Sequence, residues 1–386
     1  MSNVETNVSD KMSNIKTNIS NAINMVKDAT SETSIIKIIS FAIIFTMIIL
    51  SIVYVSITIK RNKTNCKNLD SLYPKFPKIT SINNNQQIYN LRDYYIKTAY
   101  NACSAGKFKN DFVNICALKN AIKQGARCLD FEIYSLNDKP VIAVSPASDF
   151  YTKGSYNSVN FDEAMDIIST YAFSNSTCPN ANDPILLHFR IMSNNVKIYD
   201  AMAKSLYTNL QTKMLDKQYS YEFEGKNLSA EPIKNLMGKV IVMVDRKNPL
   251  YQQTPLDEYV NIASGSIFLR NYTFSQIKNV QDFNELTEFN KKNMTIVLPD
   301  KSANDKNISS ALPMTYGCQM IGMSLQSKSD NLEYYNKLFE AQNSAFVLKP
   351  EKLRYVPVTI PVPPPPNPAY SYEKREVKSD YYKFDI

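Results

Sequence analysis

The sequence predicts an α/β barrel carried behind a single membrane-spanning helix, and three observations support that prediction. From Ile38 to Ile59 the chain reads IISFAIIFTMIILSIVYVSITI, an uncharged apolar run long enough to cross the hydrocarbon of a bilayer as a helix. Further along, short β-rich runs alternate with longer amphipathic ones over about 270 residues, the pattern of repeated strand and helix units. The 386 residues are also enough for one large domain with its own buried core.

Residues 1–34 are polar, rich in Ser, Thr and Asn, and read as a flexible tail. Residues 38–59 form the span; a signal peptide would have a shorter apolar region nearer the start and a small-residue cleavage site. Residues 60–85 read as a linker, and its Lys60, Arg61, Lys63 and Lys67 give a basic excess C-terminal to the span. That excess favours a cytoplasmic domain, and the same four side chains could meet anionic lipid headgroups.

Strands are expected at Ala126–Tyr134, Pro140–Val144, Pro184–Ile191, Lys239–Asp245, Met294–Leu298 and Met320–Leu325, all short and β-rich. Helical spacing of apolar residues marks Phe112–Gln124, Phe161–Ala172, Asn195–Leu215, Ile233–Met237 and Asn331–Ala341. A barrel with its active groups at the C-terminal strand ends is the simplest closed solution. Residues 355–386 begin with VPVTIPVPPPPNPAY, where proline excludes helix and inner strand, so Pro361–Pro368 should be polyproline II. Such a segment can serve as a stiff spacer or dock on an SH3- or WW-type module.

Composition restricts the chemistry. His188 is the only histidine, which excludes any mechanism built on a histidine pair. Six cysteines (Cys66, Cys103, Cys116, Cys128, Cys178, Cys318) show no CxxC spacing and read mostly as free thiols, several of them buried, so a structural zinc site is not expected. The net charge of +8 comes without an arginine-rich or aromatic-interleaved strip, which suits a domain beside an anionic membrane and gives no sign of a nucleic-acid partner. Asn-X-Ser/Thr triplets occur at Asn62, Asn175, Asn227, Asn271, Asn293 and Asn307, and in so Asn-rich a chain they arise readily by chance.

The stretch Tyr316–Arg354, with its Gly317-Cys318-Gln319 and Leu348-Lys349-Pro350, resembles the Y-box of eukaryotic phosphoinositide-specific phospholipase C. Upstream, GARCLDFEIYSLNDKPVIAV (Gly125–Val144) resembles the X-box, and Phe161–Ile191, Met202–Asp216 and Leu228–Lys247 continue in the family's order. The resemblance covers about residues 90–354 and implies a distorted TIM barrel of the phospholipase C-like phosphodiesterase type, with an X-like half at 86–215 and a Y-like half at 216–354.

Carried over residue by residue, the resemblance implies that Tyr100 and Val144 stand where the family has its two catalytic histidines. It implies calcium positions at Asn101, Asp130 and Glu132, with Arg190 in place of a fourth, acidic ligand. Asp130 and Glu132, two apart on a strand, share one face, so an ion-pair cluster with Arg190 is expected instead of the metal. Met243, Asp245 and Ile296 occupy positions where the family has headgroup-binding basic residues, leaving Arg246 and Lys247 as weak substrate-binding candidates. His188 reads as a satisfied core histidine.

The expectation is therefore a membrane-anchored pseudoenzyme, needing no cofactor, with a structural or protein- and lipid-binding role. The alternative is a diverged phosphoric diester hydrolase using Asp130 or Glu132 as base.

Overall fold

The structure, a computed structural model, describes residues 2–147, 152–357, 367 and 373–386. Its strands are β1 (Tyr94–Ala99), β2 (Cys128–Leu136), β3 (Lys139–Ala143), β4 (Val159–Asn160), β5 (Ile185–Ile191), β6 (Val240–Asp245), β7 (Ile262–Ser264), β8 (Leu269–Thr273), β9 (Met294–Leu298), β10 (Met320–Met323) and β11 (Phe346–Leu348). Eight run parallel in the order β7-β6-β5-β2-β1-β10-β9-β8, a nearly closed barrel. β7 and β8 meet at the seam through a turn at Gly265, whose φ of 79° suits glycine and whose N–H donates to the Leu269 carbonyl at 2.8 Å. β3 and β4 fold back antiparallel on β2, and β11 pairs antiparallel with β1.

Parallel strands covered on both faces read as near-continuous apolar runs, and β5 (ILLHFRI) is buried at every position. Its polar residues therefore have one place to go, the barrel interior. Register pairs Asp130 with His188 and Glu132 with Arg190, while outward-facing Phe189 meets Phe161 of the helical layer at 5.3 Å between ring centroids.

The helices that matter for the site are α1 (Ser2–Leu72), α2 (Ile115–Lys123), α3 (Phe161–Tyr171) and α4 (Val196–Leu210). Asn114, Asn160 and Asn195 cap the last three by accepting from a backbone N–H in the first turn. Three of the eight parallel barrel strands escape the sequence reading, as do the short antiparallel β4 and β11. β1 carries Lys97, a residue that interrupts any apolar pattern, yet its buried ammonium is satisfied by the Gln124 carbonyl at 2.8 Å. β7 and β8 are too short and too closely spaced to register as separate units. Ile233–Met237 forms only a 3₁₀ turn at Ile233–Leu236.

α1 differs from the expected tail, span and linker by running unbroken from Ser2 to Leu72. Residues 2–72 contain no proline or glycine, so nothing in the sequence stops a helix propagating through and beyond the span. Within it, Ser34–Leu72 is apolar and long enough to cross a membrane, with a mean hydropathy of 2.7 in its most apolar stretch and none of that stretch buried.

The C-terminal end of α1 docks on the barrel. Leu69 is buried against Ala105 and Ala117, Asn65 donates to Asp111 at 2.9 Å, Arg61 donates to the Asn110 carbonyl at 3.1 Å, and Cys66 is disulfide-bonded to Cys116. The other four, Cys103, Cys128, Cys178 and Cys318, are free and buried, in line with the reading of the cysteines as mostly free thiols; the pairing of Cys66 with Cys116 falls outside that reading. The partners lie 50 residues apart and only the docking of α1 on α2 brings them together.

The direction of docking orients the barrel. Successive contacts Cys66 to Cys116, the Leu69 carbonyl to Asn120 and the Tyr73 carbonyl to Lys123 show α1 and α2 running parallel, from the C-terminal ends of the strands toward their N-terminal ends. The apolar stretch therefore projects past the barrel mouth, and Tyr54 within it meets Tyr156 of the segment after β3 at 2.9 Å. The polyproline II expectation for Pro361–Pro368 falls, apart from residue 367, outside the described residues; beyond it Glu376–Lys378 and Lys383–Asp385 pair as an exposed hairpin.

Candidate functional site

At the C-terminal end of the barrel one guanidinium organises three polar side chains through four hydrogen bonds. Arg190, on β5, donates from Nε to Asp130 Oδ1 at 2.8 Å, from Nη2 to Asp130 Oδ2 at 2.6 Å, from Nη1 to Glu132 Oε1 at 2.7 Å, and from Nη2 to Asn101 Oδ1 at 2.8 Å. Tyr100 lies over the same guanidinium, its ring centroid 5.0 Å from Cζ. All three partners of Arg190 are buried. Asn101 sits in the left-handed region at φ 46°, which asparagine tolerates, and its N–H also donates to Asp130 Oδ2 at 3.1 Å.

Glu132 has further partners. Its Oε2 accepts from the Tyr134 hydroxyl at 2.9 Å and from the Ser145 N–H at 3.1 Å. Its Oε1 also pairs with Lys301, whose ammonium reaches the Ser145 carbonyl at 3.1 Å. Sequence reasoning missed Lys301. It lies just past the end of β9, where barrels place their active groups, and that position was the only signal available.

Burial alone would raise both carboxyls, but the Arg190 charge and the bonds from His188 and Arg190 hold Asp130 well below the usual carboxylate range. Glu132 is likewise lowered, since Arg190 and Lys301 outweigh its burial. Burial lowers Arg190 less than the two carboxylates raise it, so its charge is fixed. Burial depresses the Lys301 ammonium, Glu132 restores only part, and Arg190 pushes it down again. The two carboxylates are thus ionised and poorly basic.

His188 completes a line of three buried groups: Nδ1 lies 2.8 Å from Asp130 Oδ1 and Nε2 lies 2.8 Å from Ser264 Oγ. The connectivity is that of a serine–histidine–aspartate relay, yet Ser264 has no exposed surface and a nucleophile must reach its substrate. The line is a satisfied core network, as expected for His188.

Tyr100 stands at the mouth with its hydroxyl pushed above the ordinary tyrosine range by burial. Val144 is buried just past the end of β3. Neither can donate or accept a proton near neutral pH. The cavity above the cluster has a volume of about 540 Å³ and is lined by Tyr100, Arg190, Arg246, Lys247, Lys301 and Asn271 among others. Arg246 is paired with Glu222 inside this rim, and the exposed Lys247 follows it.

A calcium ion needs six to eight oxygen ligands. Here Asn101 Oδ1, both oxygens of Asp130 and both of Glu132 already accept from Arg190, His188, Lys301, Tyr134 or backbone. A fixed guanidinium lies where a dication would have to sit. The residues present do not fit the ion, and no cluster of three or more His, Cys, Asp or Glu suited to a metal occurs among the described residues.

A nearly closed parallel barrel with its charged groups at the C-terminal mouth defines a protein of the TIM-barrel class. Residues 89–246 match the family "Phosphatidylinositol-specific phospholipase C, X domain". The crystal structure of L. pealei PLC21 shares the fold at a TM-score of 0.57 with 15% identity over 70% of this chain. That of S. officinalis PLC21 does so at 0.56 with 17% identity over 70%. In each case the match takes in 38% of the relative, so this chain spans under two fifths of their length. A calcium-dependent phosphoinositol-specific phospholipase C from Pseudomonas sp. matches at 0.42 with 11% identity, over 66% of this chain and 96% of that one. No curated protein matches.

Proposed function

We propose that this chain is a membrane-held phospholipase C-like barrel that does not turn over phosphodiesters and works as a binding or structural module at the membrane surface. The observation that carries the reading is Arg190, bonded at once to Asn101, Asp130 and Glu132. Opening an inositol phosphodiester needs a base for the attacking hydroxyl, an acid for the leaving alkoxide and neutralisation of the phosphate charge. The carboxylates are spent on protein cations, the one imidazole is bonded at both nitrogens out of solvent, and Tyr100 holds its proton too tightly to act as acid. On this reading the chain uses no calcium.

The hydrolase alternative, with Asp130 or Glu132 as base, is weakened by the same geometry, since a carboxyl must be raised rather than lowered to serve near neutral pH. Headgroup binding without turnover is a fuller second reading. It is favoured by the cavity, which opens on the side from which the apolar stretch of α1 projects and carries Arg246 and Lys247 on its rim. Exposed Lys60, Lys63 and Lys67 would meet anionic headgroups there, while Arg61 is partly committed to Asn110. An SH3- or WW-type partner for Pro361–Pro368 belongs to the same proposal.

The test is the full chain in nanodiscs of phosphatidylinositol, assayed for released inositol phosphate and titrated with calcium by calorimetry. The proposal expects neither turnover nor calcium heat. Calcium-dependent release that Asp130→Asn abolishes would establish the hydrolase instead. Retention on phosphatidylinositol vesicles at high salt, compared with phosphatidylserine, separates a real pocket from general attraction of charge.

A further inference from the structure

Two features outside the mouth bear on which side of the membrane the barrel occupies. The first is the Cys66–Cys116 pair, with Cα atoms 5.8 Å apart, well inside the range a disulfide spans. It joins the first turns after the span to the start of α2. Structural disulfides persist on oxidising faces of membranes and are kept reduced in the cytosol. The basic residues after the span argue the opposite way, but that rule applies to short loops, whereas large domains cross largely regardless of charge. Arg61, one of those residues, also serves the barrel as a donor to Asn110.

The second feature is the fate of the six Asn-X-Ser/Thr triplets that follow the span. Asn307 is buried with its amide bonded to the Ser324 carbonyl at 3.1 Å. Asn227 donates to the Lys292 carbonyl at 3.0 Å and to Asn293 at 2.9 Å, which engages both. Asn271 reaches Asp245 at 3.3 Å, and Asn62 accepts from Asn114 at 3.0 Å within one turn of the span. Among the triplets that follow the span, Asn175 alone is exposed with no side-chain partner, in the turn between α3 and β5. That turn lies at the N-terminal end of the barrel strands, opposite the mouth and the span.

We infer that the barrel lies on an oxidising, non-cytosolic face of the membrane, stapled to its own span by Cys66–Cys116, and that Asn175 is an N-glycan acceptor there. The inference rests on the reading of the apolar stretch within Ser34–Leu72, residues 38–59, as a span. It reverses the side that the flanking charge favours, and it sets aside a cytosolic SH3- or WW-type partner for the tail, which lies on the same side as the barrel.

Translation of the full chain with microsomal membranes tests each part. The expected product resists carbonate extraction, is shielded from added protease until detergent is present, and carries one endoglycosidase-sensitive step in gel mobility that Asn175→Gln removes. Reduction should shift its mobility, and Cys66→Ser or Cys116→Ser should abolish that shift. A carbonate-resistant product whose barrel is digested without detergent overturns the inference while leaving the anchor intact. Extraction by carbonate overturns the anchor itself. A shielded barrel without a glycan, or with one that survives Asn175→Gln, overturns the assignment of Asn175.

Discussion

Arg190 grips Asp130 along both edges, Nε to Oδ1 at 2.8 Å and Nη2 to Oδ2 at 2.6 Å, in a forked geometry that lysine cannot reproduce. Removing it strands two buried carboxylates side by side. Arg190→Met should therefore destabilise the barrel by about 3–5 kcal/mol, with Arg190→Lys recovering only part, as read by urea unfolding of the detergent-solubilised full chain.

The opposite substitution tests whether the cation holds a metal position. Arg190→Glu combined with Lys301→Ala frees Asp130 and Glu132 and adds a third carboxylate. Calcium should raise the Tm of this double variant and leave that of the parent unchanged. Equal responses would sink the idea that Arg190 and Lys301 take the place of an ion.

Because Asp130 and Glu132 titrate below the ordinary range when folded, the unfolded chain takes up protons first as pH falls. Their contribution is complete above about pH 5 and is lost progressively in more acid solution. Asp130→Asn should flatten this acid limb by up to about 1.4 kcal/mol per pH unit, whatever its effect at neutral pH.

Lys349, at the opposite end of the barrel, is lowered to about 7 by burial despite Asp93. The unfolded chain then binds more protons above that value, so stability should rise with pH between about 7 and 8.5. Lys97, lowered to about 8 by burial, adds to the rise. Above that window the buried thiols Cys103, Cys128 and Cys318, all raised by burial, pull the other way. Lys349→Met should stabilise the protein at pH 7 and reduce the slope. The carbonyl of Asn290, which Lys349 contacts at 2.8 Å, keeps a bond from Gln319 at 2.9 Å.

The disulfide closes a loop of 50 residues, for which chain-entropy arguments give a contribution of about 4 kcal/mol. Cys116→Ala should lower the Tm of the full chain in oxidising buffer, and reductant should bring the parent down to the same value. A parent insensitive to reductant would mean that the two thiols are not bonded.

The site was legible where chemistry and strand period coincide. Asp130 and Glu132 at i and i+2 must share a face, and Arg190 two beyond His188 on a neighbouring strand must join them, which the register confirms. Lys301 and Ser145 were not legible, because each reaches Glu132 from a segment whose path no local pattern dictates. β1 was missed for the sake of Lys97, whose burial is repaid by a single carbonyl far along the chain. The Cys66–Cys116 bond was invisible for a related reason: it depends on where the C-terminal end of α1 docks, and apolar spacing says where a helix lies but not what it leans on.

α1 passes from the apolar stretch into its contacts with α2 without proline, glycine or a break in helical structure. Such a stalk has no universal joint. On the proposed reading of the apolar stretch as a span, whatever angle a bilayer imposes on it is handed to the barrel as a rigid lever, so thickening or thinning the lipid should tip the mouth toward or away from the headgroups and change how easily anything in the leaflet can enter it.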